Sequence, residues 1–271
     1  QEKERMITLQ ERCRNMLSVG FVGDICPMKD RKASIEQEIL DFFGSCDLMV
    51  GNFEGVITQE PIHPFLLKHT ETIFDVLRSI KPLSCWTLSI ANNHAIDYGV
   101  EALNRTTRAF EERHINWLGT ADRPMTHLSE YITLSAWSWW MNGNTDRIQM
   151  SNPGVPGEEG LHIAFPHWGY EHERAPRADQ RDAFPIGYDL VIGHHSHLPQ
   201  PLEVVDGTIP VAWSLGNFLT AKRLPVLGEG AVLKVIINLP EKGMPSVQSL
   251  NYKSILIDRD KPGVCHVKVR R

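Results

Sequence analysis

The stretch Leu190-Val191-Ile192-Gly193-His194-His195-Ser196-His197 decides the fold, because it joins a short apolar run to a glycine and a dense polar cluster. Short apolar runs bounded by turn residues are typical of buried strands. Similar runs recur along the chain, and polar residues follow each of them. The predicted strands cover residues 17–22, 48–50, 86–91, 161–165, 190–192 and 209–215.

Helical patterns lie between several of these strands. Apolar residues recur at helical spacing in 34–43, 72–80 and 100–113. The alternation of strands and helices predicts an α/β fold. Towards the end of the chain, 231–239 and 246–257 alternate between apolar and polar residues, which is typical of antiparallel strands.

Length and charge indicate an ordinary globular protein. The chain has 271 residues, with 28 Lys and Arg against 33 Asp and Glu, and a formal net charge of −5. Because the polar clusters are predicted to serve one site, we expect a single domain over 1–271. The slightly acidic balance and the lack of a long basic run argue against nucleic acid as a partner.

The cysteines and the start of the chain bear on its compartment. Cysteines stand at positions 13, 26, 46, 85 and 265, and no two have C-x-x-C spacing, so we expect no disulfide framework and a reducing compartment. The first 16 residues are polar and charged and predict no signal peptide. We therefore expect a cytoplasmic chain, or an anchored or extracellular one if a further segment precedes Gln1.

The polar clusters share a position, since each follows a predicted strand. In open α/β sheets, ligands bind beyond the carboxyl ends of the strands, so these side chains are predicted to meet in one crevice. In the densest cluster, His195 and His197 would project to the same side of an extended loop and would suit a metal ion. The alternative is a histidine cluster on the surface.

The second cluster is Asn92-Asn93-His94 with Asp97. The side-chain oxygen of Asn93 can bind a hard cation. His94 is predicted to protonate a leaving group or to stabilise a transition state, and Asp97 to orient its ring if a helix begins there. A helix N-cap is the alternative interpretation, because asparagine is common at that position.

Asp24, Glu54 and His167 complete the candidate site. Glu54 lies between Gly51 and Gly55, which indicates a close approach of the backbone. Taken alone, Asp24 could be a turn or cap residue and His167 a core histidine. Together, two carboxylates, one amide and three imidazoles predict two divalent metal ions, and the mixed ligands favour Mn, Fe or Zn over Ca.

Read together, the motifs resemble the poly-γ-glutamate capsule-synthesis (CapA-like) family, whose members are similar to calcineurin-type metallophosphoesterases. The motifs that carry the resemblance are Gly23-Asp24, Gly51-Asn52-Phe53-Glu54-Gly55, Ala91-Asn92-Asn93-His94-Ala95-Ile96-Asp97-Tyr98-Gly99, His167-Trp168-Gly169-Tyr170-Glu171, Gly193-His194-His195-Ser196-His197 and Ser214-Leu215-Gly216-Asn217-Phe218. The resemblance implies a four-layer α/β/β/α sandwich with two central sheets. It implies a catalytic imidazole at His94, and a metal site lined by Asp24, Glu54, Asn93, His167, His195 and His197.

Two positions depart from the wider metallophosphoesterase pattern. Cys26 stands where the first motif, Asp-x-His, has its histidine, and Asn52 follows Gly51 where the second motif has aspartate. The resemblance then implies that Glu54 takes over the bridging role. Cys26 is either a thiolate ligand or an inert buried cysteine.

Two functions are compatible with these motifs. One is metal-dependent hydrolysis of a phosphate ester or a γ-glutamyl polymer in capsule biosynthesis. The other is a non-catalytic component of a polymer synthesis or export assembly, whose cleft binds a polyanion or other capsule-synthesis proteins. In both, we expect an anionic small molecule or polymer as the ligand.

Two loops, three arginines and three tryptophans are predicted to lie near the cleft, and the sequence does not decide their roles. Residues 142–160 predict a long surface loop, and 170–187 a lid or an irregular connection. The arginines within 170–187 either contact an anionic substrate or belong to a solvated loop. The tryptophans that precede 142–160 form either a stacking platform for a sugar or base, or part of the core or of an oligomer contact. These residues are Arg174, Arg177 and Arg181, and Trp137, Trp139 and Trp140.

Overall fold

A computed structural model describes residues 15–29, 31–143, 145–157, 159–221, 224–260 and 263–271. The strands are β1 (Met16–Ile25), β2 (Lys32–Ile35), β3 (Leu48–Phe53), β4 (Val56–Ile57), β5 (Lys68–His69), β6 (Trp86–Ser89), β7 (Asn116–Leu118), β8 (Met125–Ser129), β9 (Ile132–Ser135), β10 (Leu161–Ala164), β11 (Leu190–Ile192), β12 (Leu202–Val205), β13 (Ile209–Ala212), β14 (Asn217–Leu219), β15 (Glu229–Asn238), β16 (Ser246–Asp258) and β17 (Val264–Val269). The α-helices are α1 (Gln37–Gly44), α2 (Ile73–Ile80), α3 (Val100–Glu111) and α4 (Ala178–Asp182), and 3-10 turns cover Leu83–Cys85 and Pro225–Gly228.

The strands form two large mixed sheets. In the first, the order is β2-β17-β16-β15-β1-β3-β6-β7, with β14 also paired to β1. Its β1, β3, β6 and β7 run parallel, whereas β15, β16 and β17 form the antiparallel part that the sequence predicts near the C-terminus. In the second, the order is β12-β13-β11-β10-β9-β8, with a parallel centre and antiparallel edges.

One hydrophobic core lies between the two sheets. Phe21 and Val50 of the first sheet belong to the same buried cluster as Leu134, Ile163 and Phe165 of the second. The rings of Phe21 and Phe165 are 6.2 Å apart. Burial on both faces explains why the central strands are almost continuously apolar.

Helices and loops cover the outer faces. Helices α1, α2 and α3 place their buried side chains against the first sheet, where Phe110 meets Phe53 edge to face with ring centroids 5.0 Å apart. The second sheet is covered by α4 and its flanking loops, around the stacked rings of Trp168 and Trp213. These layers confirm the predicted α/β/β/α sandwich, with a thinner outer layer on the second sheet.

Element boundaries differ from the sequence predictions in two informative places. Strand β1 extends to Ile25, so Gly23 and Asp24 lie within the strand and not after it. Helix α1 begins at Gln37 and not at residue 34, because β2 pairs with β17 over residues 32–35.

The remaining predictions concern loops, disulfides and membranes. The described residues of 142–160 are irregular, and 170–187 contains only α4 as regular structure. No disulfide joins Cys26, Cys46, Cys85 and Cys265, and Cys13 lies outside the described residues. Within the described ranges, no helix combines the length and the apolar character needed to cross a bilayer.

The two sheets meet at the edge where their parallel strands end. Strand β14 pairs with β1, and this pairing places Asn217 beside Asp24. The backbone N–H of Asp24 donates to the carbonyl of Gly216 at 2.9 Å. The chain that leaves the second sheet after β13 is thereby joined to the end of β1, and the loops of both sheets converge there.

Candidate metal centre

The structure brings all of the predicted site residues to this edge. Their side chains follow or end five different strands, and every one of them is buried. They are Asp24, Glu54, Asn93, His94, Asp97, His167, His195 and His197.

One group of metal-ligand type consists of Asp24, His167 and His194, whose ligand atoms lie within 4.8 Å of one another. Nδ1 of His167 lies 2.8 Å from Nδ1 of His194, and both nitrogens face Oδ1 of Asp24, at 4.0 and 3.4 Å. Asn93 extends this group, because its Oδ1 lies 2.9 Å from Nε2 of His167. Imidazole nitrogens and a carboxylate at this spacing are typical of transition-metal sites.

A second group consists of Cys26, Glu54 and His197, which satisfy the same distance limit. Sγ of Cys26 donates to Oε2 of Glu54 at 3.1 Å, and Nε2 of His197 lies 3.7 Å from Oε1 of Glu54. Asn217 supports both partners, with its Oδ1 3.0 Å from Nδ1 of His197 and 3.4 Å from Sγ of Cys26. Cys26 is therefore a member of a potential ligand set.

The carboxylate of Asp24 faces both groups. Its Oδ1 is directed towards His194, and its Oδ2 lies 3.2 Å from Nδ1 of His197. Asn52, which departs from the wider metallophosphoesterase pattern, donates from Nδ2 to Oδ1 of Asp24 at 2.8 Å and accepts from Asn92 at 3.1 Å. Asp24, and not Glu54, thus has the position of a residue shared by the two groups.

His94 lies beside the second group. Its Nδ1 is 2.7 Å from Oδ2 of Asp97, and its Nε2 is 3.9 Å from Oε1 of Glu54. The helix expected at Asp97 is absent, because the described backbone from Asn93 to Tyr98 forms turns and α3 begins only at Val100.

The N-cap interpretation of the asparagines does not hold, since Gly99 occupies the N-cap of α3. Asn92 instead donates to the side chain of Asn52 at 3.1 Å and to the backbone carbonyl of Phe53 at 2.9 Å. These bonds tie the loop after β6 to the end of β3, so Asn93 and His94 are held at the site by their neighbour.

His195 and His197 reach the site through an unusual backbone. Their φ angles are 95° and 58°, in the left-handed region that non-glycine residues rarely adopt, so the loop is not extended as predicted. The backbone N–H of His195 donates to Oδ2 of Asp24 at 3.2 Å, and its ring lies 4.3 Å from that of His167. Strained backbone of this kind clusters at functional sites.

Burial and neighbouring charge shift the protonation of the site. Burial would raise the pKa of Asp24, but hydrogen bonds from His194 and His197 outweigh it and hold that pKa well below its usual range. Burial, followed by the neighbouring imidazoles, lowers the pKa of His167 strongly and that of His195 to about 3. Both rings are therefore neutral at neutral pH, which is the protonation state that binds metals.

The described residues leave several buried atoms of the site without a hydrogen-bond partner. They are Oε1 of Glu54, Nε2 of His194 and Nδ1 of His195. An unsatisfied buried polar atom costs about 1–3 kcal/mol, so such a concentration calls for a ligand. A divalent cation that accepts nitrogen and oxygen ligands would satisfy atoms of this kind, so the residues present fit a metal centre.

Sequence reasoning missed three residues that the structure places at the site. His194 is not among the predicted ligands, although its Nδ1 lies closer to Oδ1 of Asp24 than that of His167 does. Asn142 lies in a predicted surface loop, yet its Nδ2 is 3.3 Å from Nδ1 of His94. Asn217 is predicted only as part of a family motif, yet its Oδ1 lies 3.0 Å from Nδ1 of His197. A buried amide beside a histidine has no periodic signal, so only the fold reveals it.

The arginines and tryptophans near the site differ in burial and in their partners. Trp137 is buried in the core, whereas Trp140 is 38% exposed and stacks on His195 with ring centroids 6.1 Å apart. The arginines all form ion pairs with glutamates, which favours the solvated-loop interpretation: Arg174 with Glu229, Arg177 with Glu173, and Arg181 with Glu203.

The sandwich and the site at its strand ends define a metallophosphoesterase-like fold. The chain superposes on a putative 5′-nucleotidase from Staphylococcus aureus, solved in complex with α-ketoglutarate, with a TM-score of 0.51. The superposition covers 90% of this chain and 55% of that protein, at 14% sequence identity, and shows a shared fold. Within this class, the chain belongs to the bacterial capsule synthesis protein family PGA_cap, which matches residues 18–137 and 143–222.

Two curated relatives carry capsule names. The chain is 27% identical to the PGA biosynthesis protein CapA of Bacillus subtilis (strain 168), in an alignment that covers 76% of this chain. It is 23% identical to the capsule biosynthesis protein CapA of Bacillus anthracis, in an alignment that covers 81% of this chain. The chain spans 63% of the length of each relative.

Proposed function

We propose that this protein is a metal-dependent hydrolase that acts on a phosphate ester or a γ-glutamyl polymer in capsule or poly-γ-glutamate biosynthesis. One observation carries the proposal. Two buried groups of ligand type face the carboxylate of Asp24, and the second lies beside a histidine that a carboxylate orients. Buried imidazole and carboxylate atoms without hydrogen-bond partners are concentrated there, which supports a bound ligand.

The two groups would hold two divalent ions, with Mn, Fe or Zn favoured by the ligand types. Asp24, His167 and His194 would form one set, and Cys26, Glu54 and His197 the other. Asn93 and His195 are close enough to complete the first set. Cations held there would supply Lewis-acid polarisation of a phosphoryl or acyl oxygen and would neutralise developing negative charge.

His94 has the geometry of the proton donor. Since its Nδ1 faces Asp97, its Nε2 is the nitrogen that faces the ligand groups. A proton on Nε2 can pass to a leaving oxygen or nitrogen, and Asp97 stabilises the ring orientation and the charge of the protonated form. Asn142 lies against the same ring and limits its rotation.

The assignment to capsule biosynthesis is supported by the family and by the names of the two Bacillus relatives. A γ-linked glutamate polymer carries one carboxylate for each residue, which agrees with the anionic ligand expected from the sequence. We include other capsule-synthesis proteins among the proposed partners.

Metal analysis and two hydrolysis assays test this function together. We expect the purified chain to contain a transition metal by plasma mass spectrometry and to hydrolyse an aryl phosphate or a γ-glutamyl oligomer. His94→Ala should abolish turnover with its metal content unchanged, whereas His127→Ala, at an exposed histidine of β8, should leave both unchanged. A chain that is free of metal and inactive on both substrates would instead favour a non-catalytic, polyanion-binding component of a polymer assembly.

A further inference from the structure

A cavity of about 140 Å³ adjoins the second ligand group. Cys26 belongs to both, since it lines the cavity and is a member of that group. His69 also lines the cavity, and its Nε2 lies 3.0 Å from the backbone carbonyl of Glu54. The cavity and the candidate metal centre are therefore adjacent.

Positive charge is concentrated in the cavity wall. Lys29, Arg31 and Lys68 line it, and no described lining residue is an aspartate or a glutamate. Nη1 of Arg31 donates to the backbone carbonyls of Arg259 and Val264, each at 3.0 Å, and Nζ of Lys68 donates to a backbone carbonyl. Because the acceptors are neutral oxygens, these bonds do not neutralise Arg31 or Lys68.

The rest of the lining is largely apolar. Met28, Ile62, Leu66, Leu67 and Ile73 contribute aliphatic surface around the cations. Ligand pockets commonly combine an apolar lining with a few placed polar groups. The chemistry of this wall suits an anionic group carried on a short apolar stem.

The lining segment 62–67 is hydrogen-bonded to the turn that contains His94 and Asp97. In this turn, the hydroxyl of Tyr98 donates to the carbonyl of Pro61 and accepts from the N–H of His63, both at 3.0 Å. Asp97, which orients His94, also accepts a hydrogen bond from the backbone N–H of Leu67. The cavity and the imidazole therefore have a fixed spatial relationship.

We propose that this cavity binds a second anionic group of the substrate, a carboxylate or a phosphate joined by an aliphatic stem to the group that reacts at the metal centre. The assignment rests on the proposed hydrolase function and narrows its substrate class to dianionic or polyanionic molecules. Lys29 and Lys68 supply the charge-assisted contacts, and Arg31 adds to the positive field.

Calorimetric titration of the 271-residue chain with glutarate and with propyl phosphate tests the pocket. In Lys29→Met/Lys68→Met, we expect the affinity for the better probe to fall at least about tenfold, because two charge-assisted contacts are lost. The matched control is Arg105→Met/Lys242→Met, which removes the same charge at two exposed positions and should bind like the unaltered protein. The probe that binds more tightly identifies the anionic group as carboxylate or phosphate.

The pocket assignment is overturned if neither probe binds, if the lysine variant binds as tightly as the unaltered protein, or if both double variants lose affinity equally. Hydrolysis is measured on the same samples to keep the two proposals apart. Lysine-dependent binding by an inactive chain contradicts the hydrolase and supports the pocket. Hydrolysis without lysine-dependent binding contradicts the pocket alone.

Discussion

Nδ1 of His94 lies 2.7 Å from Oδ2 of Asp97, in a turn and not in a helix. The same carboxylate accepts the backbone N–H of Leu67, so Asp97 is itself held from a different segment of the chain. The pair is buried, with 7% of His94 and 4% of Asp97 exposed. The imidazole therefore has one nitrogen committed to a carboxylate and the other directed at Glu54.

Asp97→Asn should lower turnover far more than it changes substrate affinity. The amide cannot stabilise the charged imidazole, so a loss of about 10²-fold or more in kcat is expected, with little change in KM. Steady-state kinetics, with kcat and KM determined separately, checks this split.

A purely structural role for Asp97 predicts a different pattern. Destabilisation alone would lower the melting temperature and the amount of active protein, without changing kcat per folded molecule. Metal content should remain that of the unaltered protein, because Asp97 contacts no member of the two ligand groups. An unchanged kcat in Asp97→Asn would contradict the orienting role.

Cys26 should ligate the metal of the second group. Its sulfur lies 3.1 Å from Oε2 of Glu54, and metal binding favours the deprotonated thiol. Cobalt-substituted protein is therefore expected to show a thiolate-to-cobalt charge-transfer band, and Cys26→Ser should abolish it.

Cys46→Ser is the matched control for this experiment. Cys46 is also buried, but burial raises the pKa of its thiol to about 11, and it belongs to neither ligand group. The band should survive this substitution. A cobalt-loaded protein without the band, or a band that Cys26→Ser retains, would identify Cys26 as an inert buried cysteine.

The sequence predicts the architecture well because its strands are strongly apolar and their ends are strongly polar. Residues 190–192 form β11 as predicted, and the polar residues after it reach the site because parallel strands share a carboxyl edge. The antiparallel C-terminal strands are equally visible, since alternation reveals which face of a strand is buried.

The backbone geometry of the site loops and the long-range pairing of short strands were less predictable. The sequence shows three adjacent imidazoles, but the left-handed φ angles of His195 and His197 decide where each ring points. His194 consequently faces Asp24 at 3.4 Å, although alternation in an extended loop would direct it away from its neighbours. Long-range pairing was also hidden, since β2 is short and is stabilised by β17 at the far end of the chain.

Acid should destabilise the fold partly through His69. Burial lowers the pKa of this imidazole from 6.5 to about 4, so the native state stays neutral while the unfolded chain takes up a proton. The free energy of unfolding should then fall as the pH drops from about 6.5 to about 4, by at most about 1.4 kcal/mol per pH unit for this residue. Buried His167 and His195 act in the same direction.

His69→Gln isolates this contribution, because glutamine can still donate to the carbonyl of Glu54 but does not titrate. In urea unfolding between pH 7 and pH 4, the free energy of unfolding of the variant should depend less steeply on pH. The variant should also be less stable at pH 7, because it loses the ring contact with Phe53, whose centroid lies 4.1 Å from that of His69. His127→Gln, at an exposed position, should follow the unaltered protein. Equal slopes for His69→Gln and the unaltered protein would contradict the assignment.

Gly193→Ala should destabilise the protein through a steric clash behind the metal centre. A Cβ at this position would lie 2.2 Å from both Nε1 of Trp168 and the carbonyl oxygen of Trp213, which are joined by a buried hydrogen bond of 3.0 Å. Separating these two groups costs on the order of 1–3 kcal/mol and displaces the adjoining histidines, so both the melting temperature and the metal content should fall.

Gly44→Ala is the control, because a Cβ at the end of α1 would have no atom within 4 Å. This variant should be as stable as the unaltered protein or slightly more stable. A melting temperature unchanged in Gly193→Ala would mean that the loop after β11 has more room than the structure shows.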